Sequence, residues 1–324
     1  MPHAIQVHSP GGPEVLKWEE VEVGEPGPGE VRLRQRACGL NYIDVYFRTG
    51  MYPAPSLPFT PGMEGVGIVE AIGSGVKNVS IGDRVAYGRN LGGYAEVRLI
   101  DAGFVIPLPE AISDETAAAM MLQGMTTEYL LERTFAVKKG QTILFHAAAG
   151  GVGLMACQWA HALGATVIGT VGTPEKAALA QAHGCTHTIL YRDEDFVARV
   201  KELTGGKGVP VVYDGVGKDT FMKSLDCLAP RGVMVSFGNA SGKVDPLDTA
   251  ILAGKGSLYV TRPTLMTYTA TPADFKASAS RVIEMIVEGH LKIHVKQTYA
   301  LKDAAEAHRA LEARETTGST VLLP

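Results

Sequence analysis

The sequence predicts an α/β protein in which a β-rich first part precedes a doubly wound parallel sheet of alternating strands and helices. Three observations carry this prediction. Short β-favouring runs separated by Gly/Pro clusters fill the first third, strand-like and helix-like runs alternate from Gln141 onward, and a glycine-rich turn joins the first strand of that alternation to its helix. The length of 324 residues exceeds one ordinary core and suits two domains.

The β-favouring runs of the first third lie at residues 31–34, 65–69, 84–87 and 95–97. Gly/Pro clusters such as 24–29 and 52–61 separate them, which is typical of a small barrel or partly open β-domain. The character then changes. Ser113 can cap a helix near Thr116, and residues 117–131 favour helix.

The glycine-rich turn at 147–153 reads Ala-Ala-Ala-Gly-Gly-Val-Gly. An apolar β-type run precedes it at 142–147, a helical pattern passes through Leu154, Trp159 and Leu163, and a second β-type run follows at 166–171. This βαβ unit binds a dinucleotide pyrophosphate because free backbone N–H groups and the helix dipole face the phosphates. The motif is A-x-x-G-x-x-G rather than G-x-G-x-x-G and is weak by itself. The prediction therefore depends on the strands that flank it. The sequence therefore predicts a nucleotide cofactor.

Further strands and helices follow this unit. Strands are predicted at 187–190, 209–213, 233–237 and 258–260, and helices at 174–183, 193–204 and 220–228. After Pro263 the alternation stops, with a helix at 275–288, a short β-type run, a helix at 302–314 and a strand at 320–323. We expect this last segment to return to the N-terminal domain.

Composition narrows the class of protein. A net charge of −4 and a pI near 6.2 argue against nucleic acid and anionic membrane as partners. Four cysteines lie far apart without a C-x-x-C pair, which favours buried thiols in a reducing cytosol over disulfides or metal. No signal-peptide pattern is evident at the N-terminus, and no apolar run approaches the ~20 residues of a membrane helix. We expect a cytoplasmic protein without membrane spans.

Five motifs together resemble the zinc-independent quinone oxidoreductases, which belong to the medium-chain dehydrogenase/reductase superfamily and are similar to zeta-crystallin. The motifs lie at 11–16, 41–44, 82–85, 146–153 and 236–239, and the likeness runs nearly the full length. It implies a GroES-like catalytic domain formed by residues 1–125 and 263–324, a Rossmann NADPH-binding domain at 126–262, and a cofactor in the cleft. It also implies a homodimer, because the strand at 258–260 is the expected edge of the Rossmann sheet.

Zinc-dependent members of this superfamily bind their catalytic metal through two cysteines and a histidine in a G-H-E motif. The corresponding positions here are Asn41, Met63 and the region 123–125. Neither an amide nor a thioether replaces a thiolate or imidazole as a zinc ligand, so no metal site is predicted. Without a Lewis acid, hydride delivery to an electron-poor acceptor is favoured over alcohol oxidation. Glu64 is interpreted as a structural residue of a turn, and the alternative is a partner in a polar cluster.

The end of the second Rossmann strand predicts NADPH rather than NADH. NAD-specific sites place an acid there to bind the ribose 2′-hydroxyl, but no acid occupies this tip. Gly172 leaves room for a 2′-phosphate, Thr173 can donate a hydrogen bond, and Lys176 offers a charge. The resemblance adds Tyr191 beside that phosphate.

The segment 41–52, read as a loop, supplies the candidate catalytic residues Asn41, Tyr46 and Tyr52. The resemblance implies that this segment forms one wall of the pocket for the nicotinamide and the substrate. Asn41 can bind the carboxamide, the ribose or the acceptor oxygen, and the two phenols can hydrogen-bond a quinone oxygen or relay a proton. The alternative for each tyrosine is packing, with its hydroxyl at the surface. Asp44 and Arg48 are spaced for a structural ion pair if this segment is helical.

The other cofactor residues follow from the glycine turn, from strand ends of the Rossmann sheet and from the resemblance. No Ser-His-Asp, P-loop or paired-carboxylate arrangement is evident, and His146 is interpreted as a core or polar-network histidine. The complete set of predicted cofactor-binding residues is Asn41, Tyr42, Tyr46, Thr126, Tyr129, Ala149, Gly150, Gly151, Val152, Gly172, Thr173, Lys176, Tyr191, Val216, Gly238, Asn239, Ser241, Thr261 and Arg262.

The leading functional hypothesis is NADPH-dependent reduction of a quinone, by one- or two-electron transfer. The alternative is reduction of the carbon–carbon double bond of an α,β-unsaturated carbonyl, with Tyr52 as candidate proton donor. A third class is a non-catalytic crystallin-like or RNA-binding protein, and the acidic balance argues against RNA. The expected partner is a small-molecule substrate.

Overall fold

The computed structural model describes residues 1–324. Its strands are, in chain order, β1 (His3–Gln6), β2 (Lys17–Glu20), β3 (Glu30–Leu40), β4 (Glu64–Ile72), β5 (Arg84–Tyr87), β6 (Val97–Asp101), β7 (Ile106–Pro107), β8 (Thr142–Phe145), β9 (Thr166–Val171), β10 (His187–Leu190), β11 (Val209–Asp214), β12 (Leu228–Ser236), β13 (Tyr259–Thr261), β14 (Val295–Ala300) and β15 (Ser319–Leu323).

The helices are α1 (Tyr42–Arg48), α2 (Asp114–Glu128), α3 (Gly151–Ala162), α4 (Pro174–Ala182), α5 (Phe196–Leu203), α6 (Phe221–Leu225), α7 (Ala250–Gly254), α8 (Leu265–Tyr268), α9 (Pro272–Val287) and α10 (Ala304–Glu312). Short 3₁₀ turns at Pro13–Val15, Ala102–Phe104 and Leu301–Asp303 and a π-helical turn at Tyr129–Thr134 complete the secondary structure. No helix is both long enough and apolar enough to cross a bilayer.

The chain divides into two compact units. Unit 1 contains Met1–Met125, Thr269–Ile283 and Ile293–Pro324, and unit 2 contains Thr126–Tyr268 and Glu284–Lys292. The domain bounds given above from the sequence stay predictions.

Unit 1 is built on a sheet with the strand order β14-β15-β3-β4-β5-β7, and β6 pairs with β3 off this path. The first half of β3 alternates buried and outward side chains, which places Val31 and Leu33 in an apolar cluster with Val69 and Val85. β15 pairs antiparallel with β3, so the last strand of the chain lies in the same sheet as the N-terminal strands. This is the β-domain half of the predicted fold class.

Unit 2 contains a six-stranded, wholly parallel sheet with the order β10-β9-β8-β11-β12-β13. Numbered within the unit, this is the order 3-2-1-4-5-6 of a dinucleotide-binding sheet, and the order reverses between β8 and β11. Leu144, Ile168, Val212 and Met234 are fully buried in the core that helices cover. The predicted doubly wound Rossmann sheet is confirmed.

Several predicted elements need correction in extent. The run at 95–97 is not a strand of its own, because β6 begins only at Val97. The predicted helix 220–228 ends at Leu225, and β12 begins at Leu228 rather than at Val233 because Leu228 already pairs with Val209. Arg231, with φ of 62°, interrupts that strand before it resumes its regular pairing.

The predicted helix 117–131 also ends differently. After Glu128 the chain makes a π-helical turn, in which the Phe135 amide bonds the Leu130 carbonyl at 3.3 Å. The buried Tyr213 hydroxyl reaches the same carbonyl at 3.1 Å and the Phe135 carbonyl at 3.3 Å. The Tyr213 hydroxyl thus shares the Leu130 carbonyl with the amide that closes the π-helical turn, a contact that the local sequence does not reveal.

Candidate active site

The glycine turn of unit 2 presents backbone amides at the start of α3. Ala147 adopts the left-handed conformation with φ of 55°, and the Gly150 amide bonds its carbonyl at 2.9 Å. Gly150 is then the N-cap of α3, without a side-chain capping bond. The first amides of a helix have no acceptor within it, so those of Gly151, Val152 and Gly153 point beyond its end. Such amides are the donors that a pyrophosphate accepts from.

The two glycines of this turn have different reasons to be small. A Cβ on Gly153 would collide with the Ala147 carbonyl oxygen and lie 2.7 Å from the Ala148 carbonyl carbon. A Cβ on Gly150 would meet only the Ala147 carbonyl oxygen, at 3.3 Å. Gly153 is therefore required for the turn itself, whereas Gly150 keeps space open above it, a cradle that fits a dinucleotide phosphate.

The tip of β9 brings together groups suited to a 2′-phosphate. A Cβ on Gly172 would lie 2.9 Å from the Tyr191 hydroxyl and 3.4 Å from Arg192 Nε, so these side chains lie beside the glycine. Thr173 caps α4 by accepting a bond from the Lys176 amide at 3.3 Å. Arg192 was missed by the sequence reasoning. Its signal was available, as the basic residue directly after Tyr191 and the third Rossmann strand.

Thr173 has a second bond that the sequence did not predict. Its hydroxyl hydrogen-bonds the exposed Glu175 carboxyl and thereby lowers the pKa of that group. A ligand phosphate would have to compete with Glu175 for this donor.

Two loops that follow β11 and β12 are bonded to each other at the same sheet edge. The Ser241 amide and hydroxyl both donate to the Val216 carbonyl, at 2.8 and 2.9 Å. Arg262 donates to the carbonyls of Ser236 and Gly238, each at 3.0 Å. Oriented to satisfy both of its polar atoms, the Asn239 amide also accepts from Arg262. Arg262, which follows Thr261 at the end of β13, thus holds the loop that carries the predicted cofactor residues Gly238, Asn239 and Ser241.

His146 is a polar-network histidine, as predicted. It lies buried directly after β8, with Thr170 Oγ1 2.9 Å from Nδ1 and Ser224 Oγ 2.8 Å from Nε2. Ser224 Oγ also lies 3.5 Å from Asp214 Oδ2, so serine, histidine and aspartate side chains meet here. The hydroxyl stands between imidazole and carboxylate, an order unlike that of a nucleophilic triad.

The remaining predicted residues of unit 2 are largely buried. Ala149 lies inside the glycine turn, and Thr126 is almost fully covered on α2. The Tyr129 ring stacks on Tyr268 with centroids 4.6 Å apart, and the Arg133 guanidinium lies 5.0 Å from the centroid of the same Tyr268 ring. Tyr268 therefore fixes the ring plane of Tyr129, a contact that no local pattern signals.

In unit 1, the structure brings together Asn41, Glu64, Gln123 and Ser319, which we call the Asn41 cluster. Asn41 Nδ2 donates to Glu64 Oε1 at 2.6 Å, and Gln123 Nε2 donates to Asn41 Oδ1 at 3.0 Å. Ser319 Oγ donates in turn to Gln123 Oε1 at 2.8 Å. All four side chains are buried. The amide of Asn41 is therefore held at both of its polar ends.

These are the positions expected to correspond to a catalytic zinc site. Two amides, one carboxyl and the buried thioether of Met63 are not a tetrahedral zinc donor set. No group of three or more His, Cys, Asp or Glu side chains is arranged to hold a metal ion. The cluster is joined by hydrogen bonds instead.

Two carboxyls flank Asn41 in a buried environment. Burial raises the pKa of Glu64 to about 8, against the opposing hydrogen bonds from Asn41 and the Leu122 amide. Burial likewise raises the pKa of Asp44 to about 7, against bonds from the Asn41 amide at 2.8 Å and the Tyr94 hydroxyl at 3.0 Å. Glu64 therefore belongs to a polar cluster, the alternative given for it, and it begins strand β4 rather than lying in a turn.

The segment 41–52 is not a loop throughout, because α1 occupies Tyr42–Arg48. The expected Asp44–Arg48 ion pair is wrong, although the two residues do lie on one helix. Asp44 caps the N-terminus, whereas Arg48 bonds both oxygens of Glu312, at 2.8 and 2.9 Å, and His308 Nδ1 at 3.1 Å. Burial first, then the Arg48 charge, lowers the pKa of His308 to about 3, so this imidazole is neutral.

The three tyrosines of this segment differ in setting. Tyr46 is buried and packs edge-on against Tyr52, with ring centroids 5.2 Å apart. Tyr52 is half-buried, and its amide bonds the Tyr46 carbonyl at 3.0 Å. The Tyr42 hydroxyl donates to the Leu311 carbonyl at 3.1 Å, so its phenol is engaged within unit 1. The catalytic roles of Asn41, Tyr46 and Tyr52 stay predictions.

Family models match both parts of the chain. The alcohol dehydrogenase GroES-like domain matches residues 27–110, and the zinc-binding dehydrogenase family matches residues 151–284. The chain is 56% identical to a quinone oxidoreductase of Pseudomonas aeruginosa over 100% of both chains. It is 46% identical to a 2-haloacrylate reductase of a Burkholderia species, covering 99% of this chain and 98% of that protein.

A solved structure is similar to this chain over almost its whole length. The crystal structure of Escherichia coli quinone oxidoreductase complexed with NADPH superposes with a TM-score of 0.98 at 51% identity. The match covers 99% of this chain and 100% of the other.

Proposed function

The chain belongs to the zinc-independent quinone oxidoreductases of the medium-chain dehydrogenase/reductase superfamily, and from this premise we propose that it reduces quinones with NADPH. The observation that carries the proposal is the edge of the parallel sheet in unit 2, where the glycine turn opens α3 and the tip of β9 bears no carboxylate. The groups at that edge fit NADPH, which the solved Escherichia coli relative contains.

NADPH supplies a hydride when bound, and the chain's own residues bind and orient it. We assign the pyrophosphate to the amides of Gly151 and Val152, where the dipole of α3 adds attraction. We assign the 2′-phosphate to Lys176, Tyr191 and Arg192 around Gly172. We propose that the remaining predicted cofactor residues also line the NADPH site.

Two-electron reduction of a quinone to a hydroquinone adds one hydride and one proton. The quinone oxygens therefore gain negative charge before they are protonated. We propose that Asn41, Tyr46 and Tyr52 serve these oxygens as donors. The side-chain amide nitrogen of Asn41 carries two hydrogens. One is donated in the hydrogen bond to Glu64, and the other is left to donate to a ligand. A quinone is already electron-poor, so hydrogen-bond donors replace the Lewis acid that an alcohol would require.

The test is turnover by the purified chain with NADPH and a series of benzoquinones and naphthoquinones, followed at the nicotinamide absorbance band. We expect oxidation of NADPH that depends on the quinone and is faster than with NADH. Spin-resonance detection of the one-electron-reduced acceptor separates one-electron from two-electron transfer. Absence of both turnover and NADPH binding would refute the proposal.

A second candidate function is reduction of an activated carbon–carbon double bond, which the relative named 2-haloacrylate reductase favours. This reaction needs a proton at the α-carbon, and Tyr52 is the half-buried phenol of the segment. Conjugated enals and 2-haloacrylate are therefore assayed beside the quinones. We expect Tyr52→Phe to lose enal reduction while lowering quinone turnover much less, because Asn41 and Tyr46 still donate to the quinone oxygens. Equal loss of both activities would remove Tyr52 as a specific proton donor.

We further propose a homodimer that pairs through β13. This strand is the edge of the sheet in unit 2, and Tyr259 and Val260 are 62% and 37% exposed. A monomeric mass from multi-angle light scattering would contradict the proposed homodimer.

We also propose a cytoplasmic location, which the four free, buried cysteine thiols favour. Cell fractionation tests this assignment.

A further inference from the structure

One buried polar network joins three neighbouring strand ends of unit 2. It contains Thr170 on β9, His146 directly after β8, Asp214 at the end of β11, and the hydroxyls of Thr220 and Ser224 at α6. Thr170, His146, Asp214 and Ser224 are each at most 2% exposed. Since buried polar groups are costly unless bonded, a network of this size at one sheet edge requires an explanation.

The direction of each hydrogen bond in this network can be assigned. Ser224 Oγ lies 2.9 Å from the Thr220 carbonyl and 3.5 Å from Asp214 Oδ2, neither of which can donate. Its proton must therefore point to that side, so Ser224 accepts from His146 Nε2–H at 2.8 Å. His146 Nδ1 is then the acceptor, and Thr170 Oγ1–H donates to it at 2.9 Å. All donors point in one direction, from β9 towards the carboxylate.

The charge state of His146 agrees with this assignment. Burial lowers the pKa of His146, although the Asp214 carboxylate opposes that shift. The imidazole is therefore neutral, with one donor and one acceptor nitrogen, as the two bonds require. Phe196 packs edge-on against the ring, with centroids 5.0 Å apart, and fixes its plane.

Each end of the network holds a segment that the proposed function assigns to the dinucleotide. Asp214 Oδ1 accepts the amides of Val216 at 2.7 Å and Gly217 at 3.0 Å, which sets the loop after β11. At the other end, the Thr170 carbonyl accepts the Ala148 amide at 3.1 Å, inside the glycine turn. His146 itself immediately precedes that turn, and its own amide bonds the Tyr213 carbonyl at 3.0 Å.

We propose that His146, Ser224 and Asp214 are positioning residues, which fix the glycine turn and the loop 214–217 in one arrangement that binds NADPH. The inference rests on the proposed function and adds to it a group of residues that touch no ligand themselves. The turn and the loop flank the point at which the strand order reverses, where ligands of open α/β sheets bind. A network that only stabilised the fold would lower stability when broken and leave the affinity for NADPH unchanged.

The experiment compares Ser224→Ala with the full-length wild-type chain and with Ser278→Ala. Ser278 is also buried, but it lies on α9 in unit 1, so it controls for the loss of one buried hydroxyl. The Kd for NADPH is measured by fluorescence titration without any acceptor, and kcat with a quinone is measured at saturating NADPH. Thermal denaturation gives the stability of each variant.

We expect Ser224→Ala to raise the Kd for NADPH about tenfold, because the buried His146 Nε2–H is left without its acceptor and the link from His146 to Asp214 is lost. The kcat at saturating NADPH should stay within about twofold of wild type, since no ligand contact is removed. Ser278→Ala should lower the melting temperature without changing the Kd. His146→Gln, which keeps a donor toward Ser224, should bind NADPH more tightly than His146→Leu.

An unchanged Kd in Ser224→Ala, with or without a lower melting temperature, would overturn the positioning role. Equal affinities for His146→Gln and His146→Leu would do the same. Failure of the proposed function looks different, because the wild-type chain would then not bind NADPH at all.

Discussion

The candidate site of unit 2 is made mainly of backbone amides, whereas that of unit 1 is made of side chains from distant segments. In unit 2 the donors lie along a few consecutive residues of the glycine turn at α3. In unit 1 the bonds of the Asn41 cluster join residues 23, 82 and 196 positions apart. The first kind of site can be recognised from a local sequence pattern, and it is most sensitive to substitution of its glycines. The second kind depends on the tertiary fold, and its stability is sensitive to the protonation of buried ionisable groups.

The largest effect that tests this contrast is expected from Gly153→Ala. Its Cβ would collide with the carbonyl oxygen of Ala147, which is backbone and cannot rotate away. We expect a loss of about 3 kcal/mol in the free energy of unfolding, together with loss of measurable NADPH binding. Denaturant unfolding and fluorescence titration with NADPH measure the two effects.

Gly150→Ala is the matched control, because its Cβ would meet a single atom at 3.3 Å. The folded protein should keep nearly its full stability, while NADPH affinity falls because the methyl group fills the space above the turn. Equal stability losses for the two variants would show that the turn does not depend on the close approach at Gly153.

A smaller effect, on the pH dependence of stability, is expected in unit 1. The pKa of Glu64 rises from its ordinary 4.5 to about 8 on folding, so between these values the folded chain holds a proton that the unfolded chain releases. Its contribution to stability is full below pH 4.5 and is lost as the pH rises through about 8. Asp44, with its pKa raised to about 7, acts in the same direction.

Glu64→Gln replaces this carboxyl with a group that stays neutral. Between about pH 6 and about pH 9 we expect the variant to lose about 2 kcal/mol less stability than wild type. Denaturant unfolding at several pH values measures the difference, and the titration of His308 between about 3 and 6.5 cancels in the comparison because both proteins contain it. Glu70→Gln, on the same strand but in an ion pair with Arg34, controls for the loss of one carboxyl. Parallel curves for wild type and Glu64→Gln would rule out proton uptake by Glu64.

The same contrast explains how far the sequence could predict the molecule. The parallel sheet and the glycine turn follow from local patterns, and β9 and β10 agree with the predicted residues. Helix α1 had a signal that was not used, because Asn41 followed three residues later by Asp44 is an N-terminal capping pattern.

Other parts of unit 1 had no local signal. The bonds of Arg48 to His308 and Glu312 cross about 260 residues of sequence, and spacing alone suggested Asp44 instead. The hydrogen bond of the Tyr94 hydroxyl to Asp44 was equally hidden, because Tyr94 lies in an irregular segment that has no period from which a partner can be inferred. A buried carboxyl with a raised pKa can be recognised only after the fold shows what surrounds it.

The smallest effect concerns the side chains that unit 2 adds to its backbone site. If amides provide most of the binding, a side chain at the tip of β9 should tune only the choice between cofactors. We expect Lys176→Ala to raise the KM for NADPH about tenfold and that for NADH less than about twofold, because only the 2′-phosphate loses a charge. Steady-state kinetics with one quinone and both cofactors measure this, and Lys201→Ala, an exposed helix lysine of the same unit, is the control. Equal increases for both cofactors would mean that Lys176 supports the shared part of the dinucleotide. The division between a backbone that binds and side chains that select would then fail in unit 2.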